Sequence, residues 1–196
     1  MVALNLQSMF SACGIPSKCN QSPFLHAGDN FSDKDKKKKP DIILNFNDGS
    51  KRKIAIDISQ TCPVPITNQH LLTLEEANIV SKAASERYNE KIIKYSPISS
   101  ACGFTFVPII FETTGRIHED SLKFIDSILN DAIKGGYLNG FFLRRFWRKK
   151  IAISYIKDQA AHLVERLTSL NNSTSKYTSA YENTDEFACR VDHMRY

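Results

Sequence analysis

Residues 39–59 read KPDIILNFNDGSKRKIAIDIS, and the parsing of this stretch decides the fold. Ile42, Ile43, Leu44 and Phe46 form one apolar run, and Ile54, Ala55, Ile56 and Ile58 form another, with Asn47-Asp48-Gly49-Ser50 between them. Asp-Gly accepts the positive φ that tight hairpin turns require, so the stretch predicts two antiparallel strands. Each arm carries one carboxylate, Asp41 where the first strand begins and Asp57 inside the second. Burying an unpaired carboxylate among isoleucines is costly or shifts its pKa, so both need a compensating partner. Two aspartates on the paired arms of a hairpin can converge as oxygen ligands on a hard divalent cation.

Working outward, the chain has 196 residues, enough for one domain with a real core and a helical annex. Its composition, 42% hydrophobic and 24% charged, is that of a globular protein. The net charge of +5 is concentrated: residues 34–53 hold eight Lys or Arg against three Asp, and residues 143–150 hold five basic residues and no acid. Such clusters mark a surface for a polyanion, although a solvated loop accounts equally well for the first run taken alone. The five cysteines are scattered with no CxxC pair, which argues against a disulfide framework and a structural zinc site. No signal peptide and no membrane-length apolar segment can be read. An intracellular location follows, and residues 36–39, four lysines, are a weak nuclear address.

Residues 4–13 have the apolar spacing of a short helix, stopped by Gly14 and Pro16, and a weak strand is expected at 23–25. Residues 28–39 read as a polar, mobile loop, and Pro63 and Pro65 keep residues 60–69 irregular. A helix capped by Thr73 is expected to run to Pro97, with the stripe Ala77, Val80, Ala84, Tyr88, Lys91 and Tyr95 facing inward. Lys91 therefore sits between two tyrosines on the inward side, where a lysine that merely snorkels over apolar surface is the competing reading. Residues 104–111 form a strand covered on both faces, with Pro108 marking an edge or a bulge. Residues 119–134 form a second amphipathic helix ended by Gly135-Gly136, and a third helical region spans 141–170. The Ser/Thr/Asn-rich residues 171–196 are expected to be disordered. The five histidines lack ligand spacing and read as surface or loop residues; Cys62 has no histidine in recognisable relation to it.

Asp41, Asp57 and Lys91 thus fall on three consecutive elements that must pack together. Two carboxylates able to hold Mg²⁺, with a lysine that orients or deprotonates water, form the inventory of a metal-dependent phosphodiesterase. In this order and spacing the chain resembles the PD-(D/E)xK, or restriction-endonuclease-like, superfamily. Pro40-Asp41 matches the PD, and Asp57-Ile58-Ser59 stands where that family has (D/E)-x-K. Ser59 occupies the lysine position, and one branch of the family carries the lysine on the following helix instead. That branch is the endonuclease domain downstream of the reverse transcriptase in non-LTR retrotransposons and in related reverse-transcriptase-like reading frames. Lys39-Pro40-Asp41, Asp57-Ile58-Ser59 and Glu90-Lys91-Ile92-Ile93-Lys94-Tyr95 resemble its KPD, DVT or DVS, and lysine-then-tyrosine segments. The likeness continues through Phe106-Val107-Pro108, Glu112-Thr113-Thr114-Gly115 and residues 143–148, and covers residues 4–168. Gln21 and Ser22 stand where the family often has a glutamate, and the zinc-knuckle residues that precede the nuclease in the retrotransposon proteins are missing.

The resemblance implies an α/β fold with a restriction-endonuclease-like core, a small mixed β-sheet flanked by helices, and a C-terminal helical extension. Residues 1–136 would be the core, 137–170 a basic and aromatic extension of the same domain, and 171–196 the tail. It implies a metal-dependent DNA endonuclease of retroelement type, with Asp41 and Asp57 as ligands for Mg²⁺ or Mn²⁺ and Lys91 as catalytic lysine. Tyr95, Glu112 and Ser59 are accessory candidates, and Lys39, Lys53, Lys94, Arg144, Arg145 and Arg148 are candidates for DNA contact. A retroelement polymerase or its RNA is an implied partner, the chain being a detached domain, a truncated element or a host protein derived from one. The alternative is an inactive or domesticated nucleic-acid-binding module with the same fold, and an interaction domain using the last helix is a third reading.

Overall fold

The hairpin forms from Ile42–Asn45 (β2) and Lys53–Thr61 (β3), antiparallel, with Ile42 opposite Ile56 and Leu44 opposite Ile54. The amide of Phe46 donates to the Arg52 carbonyl at 3.0 Å and closes the arms; the turn between them lies outside the described residues. The computed structural model describes residues 2–19, 21–46, 52–63, 81–137 and 141–192, with the side chains of 141, 142 and 171–192 left aside. The expected helix start at Thr73 and the stripe positions Ala77 and Val80 lie outside these residues.

Around the hairpin the chain builds a four-stranded mixed sheet in the order β1-β2-β3-β4. Ser17–Cys19 (β1) pairs antiparallel with β2, and Thr105–Glu112 (β4) pairs parallel with β3. A parallel pair requires a crossover, supplied by the helix Lys82–Ala101 (α3). The helix Val2–Ala12 (α1) precedes β1, and the single turn Asp33–Lys36 (α2) precedes β2. Glu119–Lys134 (α4) and Phe141–Asp192 (α5) follow β4. The helix α4 has the expected bounds, because the apolar period and Gly135-Gly136 fix both.

The two faces of the sheet carry separate cores. Ile42, Leu44, Ile54, Ile56, Ile109 and Phe111 pack with Leu6, Met9 and Phe10 of α1, with Ile125, Ile128 and Leu129 of α4, and with Trp147, Ile151 and Tyr155 of α5. On the opposite face Ala55 and Phe106 pack with Phe24, Ala27 and Ile98, bordered by Ile92 and Tyr95 of α3. Gly14 ends α1 at φ 72°, and a Cβ there would sit 2.7 Å from the Tyr137 ring, so glycine is required twice over.

Several expectations change. Residues 23–25 form a turn, and the added strand is β1; Phe24 is buried from that turn and needs no strand to bury it. The loop at 28–39 contains α2, capped by Ser32, whose hydroxyl accepts from the Asp35 amide at 3.1 Å. The strand β3 runs on to Thr61, through Gln60, because β4 continues to pair with it there. Pro97 does not end α3, which continues to Ala101 because Ile98 and Ser99 are buried in its last turn. His118 is buried between α3 and the start of α4, its ring stacked on Tyr88 at 4.4 Å and its Nε2 3.3 Å from Ser85 Oγ. Burial holds its pKa below the usual histidine value.

The chain divides into two compact units, Met1–Tyr155 and Ile156–Tyr196. The first turns of α5 belong with the core, through Trp147, Ile151 and Tyr155. The helix runs to Asp192, and no Gly or Pro follows Gly140 to interrupt it. Among the described residues no helix is long and apolar enough to cross a membrane.

Candidate active site

The register of the hairpin decides where the two aspartates meet. Ile42 faces Ile56, so one step further along the arms Asp41 faces Asp57. Directly opposed residues share a face of the sheet with Cβ atoms roughly 5 Å apart. Asp57 belongs to the face that packs on α3, since its neighbours Ile56 and Ile58 point into the core on the other side. Asp41 Oδ2 accepts a 2.6 Å hydrogen bond from the amide of Ile58, which fixes the carboxylate beside Asp57. Burial raises the Asp41 pKa above the usual carboxylate value; the Ile58 hydrogen bond opposes this, the Asp57 charge adds to it and the Lys91 charge opposes it.

Lys91 reaches this pair from α3. It is buried, and its Nζ lies 2.7 Å from Asp57 Oδ2. The approach is off hydrogen-bond geometry, so Asp57 Oδ2 is a buried oxygen that accepts no hydrogen bond among the described residues while resting against a positive charge. One turn on from Lys91, Tyr95 stacks against Phe106 and lies 5.2 Å from the Lys91 ammonium. Lys38 and Lys94 approach the same ring at 4.8 and 5.6 Å. Three ammonium groups thus gather around one tyrosine beside the two carboxylates, Lys38 also holding the Asp35 carboxylate.

Lys91 follows from the 3.6-residue stripe, but its companion one turn earlier was not foreseen. Arg87 donates from Nε to Ser59 Oγ at 3.2 Å and pairs with Glu90 at 2.6 Å. The Ser59 hydroxyl, two residues on from Asp57, therefore receives an arginine from α3. The four-residue spacing from Lys91 was the signal that could have found Arg87. Nothing in the four-lysine run singled out Lys38.

Other candidates fall elsewhere. Glu112 is buried at the far end of β4, opposite Thr61, and accepts from Thr114 Oγ1 at 3.2 Å. Asp57 pairs with Pro108, four residues earlier, so Glu112 lies about 13 Å away along the strands and is no ligand at this site. Lys39 and Lys53 are exposed, with Lys53 Nζ 5.7 Å from the Phe104 ring. Arg148 donates from Nε to Asp126 of α4 at 2.8 Å, and Arg144 bonds Asn130 of the same helix. Trp147 is buried in the α1–α4 core, on the other face of the sheet from Asp57. The basic-aromatic segment therefore fastens α5 to α4, with Arg144 half-buried and Arg145 and Arg148 exposed.

No group of three His, Cys, Asp or Glu side chains able to hold a metal occurs among the described residues. Two opposed, half-buried carboxylates nevertheless fit Mg²⁺ or Mn²⁺ by the chemistry of their oxygen donors, since these ions keep several waters and need only one or two carboxylates. Comparisons with protein-family models, curated proteins and solved structures give no match.

Proposed function

We propose that this chain is a Mg²⁺- or Mn²⁺-dependent DNA endonuclease with a restriction-endonuclease-like core, of the kind associated with retroelements. The observation that carries the reading is the meeting of Asp41, Asp57 and Lys91 on one face of the hairpin. The small mixed sheet flanked by helices, with the lysine on the helix after the hairpin, supports it. Asp41 and Asp57 would hold the cation, which when bound supplies charge stabilisation at the scissile phosphate. Lys91 orients the attacking water and balances charge on the phosphate, and its contact with Asp57 keeps the ammonium in place. Lys38, Lys94 and Arg87 surround the pair with positive charge suited to the flanking phosphates. The reading carries a nuclear site of action with residues 36–39 as address, and a retroelement polymerase or its RNA as a partner.

Cleavage of plasmid and branched DNA with Mg²⁺ or Mn²⁺ tests the proposal, with Asp57→Ala as comparison. Cutting by wild type and none by Asp57→Ala is expected; DNA binding without metal-dependent cutting would leave the non-catalytic binding module. That second reading is favoured by Ser59 in the lysine position and by Gln21 and Ser22 where a glutamate is common.

The salt dependence of DNA binding locates the surface. Lys94→Ala is expected to reduce the slope of log affinity against log salt by about one unit. Arg144→Ala and Arg148→Ala should leave the slope unchanged, since both are spent on α4. The reverse pattern would move the interface to the other face of the sheet.

A further inference from the structure

Residues 156–170 of α5 contain no buried side chain, yet Ile156, Leu163, Val164, Leu167 and Leu170 are each more than half exposed. A helix in water draws most of its stability from packing an apolar face, so this segment calls for a partner. Ile156, Ala160, Leu163, Leu167 and Leu170 are spaced four, three, four and three residues apart. That is the four-three spacing of a coiled-coil seam, with Val164 beside it on one flank. We propose that residues 156–170 pair with the same segment of a second copy of this chain as a two-stranded coiled coil.

The seam suits itself. If Leu163 and Leu170 are placed with Ile156 at one core position of the heptad, and Ala160 and Leu167 at the other, the flanking positions are Lys157, Gln159, Val164 and Arg166. In a parallel pair Gln159 faces Val164 of the other copy and Lys157 faces Ala152, so no like charges meet. In an antiparallel pair Ala160 can sit against Leu163, small against large, while Lys157 faces Val164 and Gln159 faces Arg166. The acids Asp158 and Glu165 fall on the outer face, where Glu165 lies 3.7 Å from His162. The exposed seam amounts to roughly 500–600 Å² per chain, and so about 1,000–1,200 Å² in a pair, which approaches the lower bound of specific interfaces. A second copy supplies a matching 3.5-residue seam at equal concentration.

Sedimentation equilibrium of the full chain across about 1–100 µM reads the result. Wild type is expected at twice the 22.2 kDa chain mass. Leu163→Glu combined with Leu167→Glu should raise the dissociation constant at least about a hundredfold, whereas Glu165→Gln on the outer face should leave the dimer intact. Trp147, the one tryptophan, is buried in the first unit, so unchanged fluorescence shows that the core of the double variant is folded. A wild-type monomer at the highest concentration would assign the seam to another protein and overturn the proposal. A dimer that persists in the double variant overturns it equally, by placing the interface elsewhere. Neither outcome depends on nuclease activity.

Discussion

Lys91→Ala is expected to lower Mg²⁺-dependent cleavage by about 10³-fold or more while changing DNA affinity less than about threefold. Lys91 is buried against Asp57, so in the proposed nuclease its ammonium would act on the reacting phosphate and water rather than on flanking phosphates. Removing it also leaves two opposed carboxylates facing one another without their cation. Breaking a buried ion pair costs about 3–5 kcal/mol; with 11% and 16% of these side chains still exposed, about 2 kcal/mol is the expected loss. Lys91→Arg keeps the charge, but its planar fork does not replace a compact ammonium at this site, so it too should be nearly inactive. Lys94→Ala should weaken binding and spare the chemical step, because Lys94 is exposed on the outer side of Tyr95. Wild-type cleavage by Lys91→Ala would pass the role to another cation. The geometric rival Lys53 is four residues from Asp57, about 13 Å along the strand, and exposed. Arg87, against Ser59, is closer.

What could be read from the sequence is what local chemistry determines. The hairpin follows from two apolar runs around Asp-Gly, and antiparallel pairing across a short turn sets Asp41 opposite Asp57. The Lys91 position follows from helical periodicity, and the bounds of α4 from period and terminating glycines. Pro108 correctly pointed to an edge: β4 is the last strand of the described sheet, and Ser121 Oγ covers it by donating to the Pro108 carbonyl at 2.9 Å. Illegible features depend on contacts distant in sequence. Ser17-Lys18-Cys19 has no alternation of its own and becomes a strand only by pairing with Leu44, Ile43 and Ile42. Glu112 reads as a ligand candidate until the parallel register sets it opposite Thr61. Arginines beside a tryptophan suggest phosphate contact in isolation, but the packing of α5 on α4 gives Arg144 and Arg148 to Asn130 and Asp126. Which face of a sheet a helix covers is a tertiary fact, and the composition of the segment does not encode it.

Asp41→Asn is expected to make the metal-free protein more stable and to remove its response to divalent cations. Burial raises the Asp41 pKa, so the folded state binds this proton more tightly than the unfolded chain, whose ordinary value is 3.8. The sign follows by linkage: the contribution is fully present below the unfolded pKa, stability falls as pH rises from there through the folded pKa, and it stays lower above. At neutral pH the ionised Asp41 is thus a cost carried by the fold, increased by the opposed Asp57. Asparagine keeps an oxygen to accept from the Ile58 amide and removes the charge, so Tm without metal should rise by about 2–4 °C at pH 7 and change little near pH 3.5. If the two aspartates hold the cation as proposed, Mg²⁺ well above its Kd should raise the wild-type Tm, by an amount that grows with the logarithm of its concentration. In Asp41→Asn that shift should shrink to near zero, and cleavage should disappear with it. Calorimetric scans at pH 3.5 and 7, with and without Mg²⁺, measure all of these quantities. A variant less stable than wild type at both pH values, with an undiminished Mg²⁺ shift, would make Asp41 a structural anchor for the Ile58 amide and remove it from the metal site.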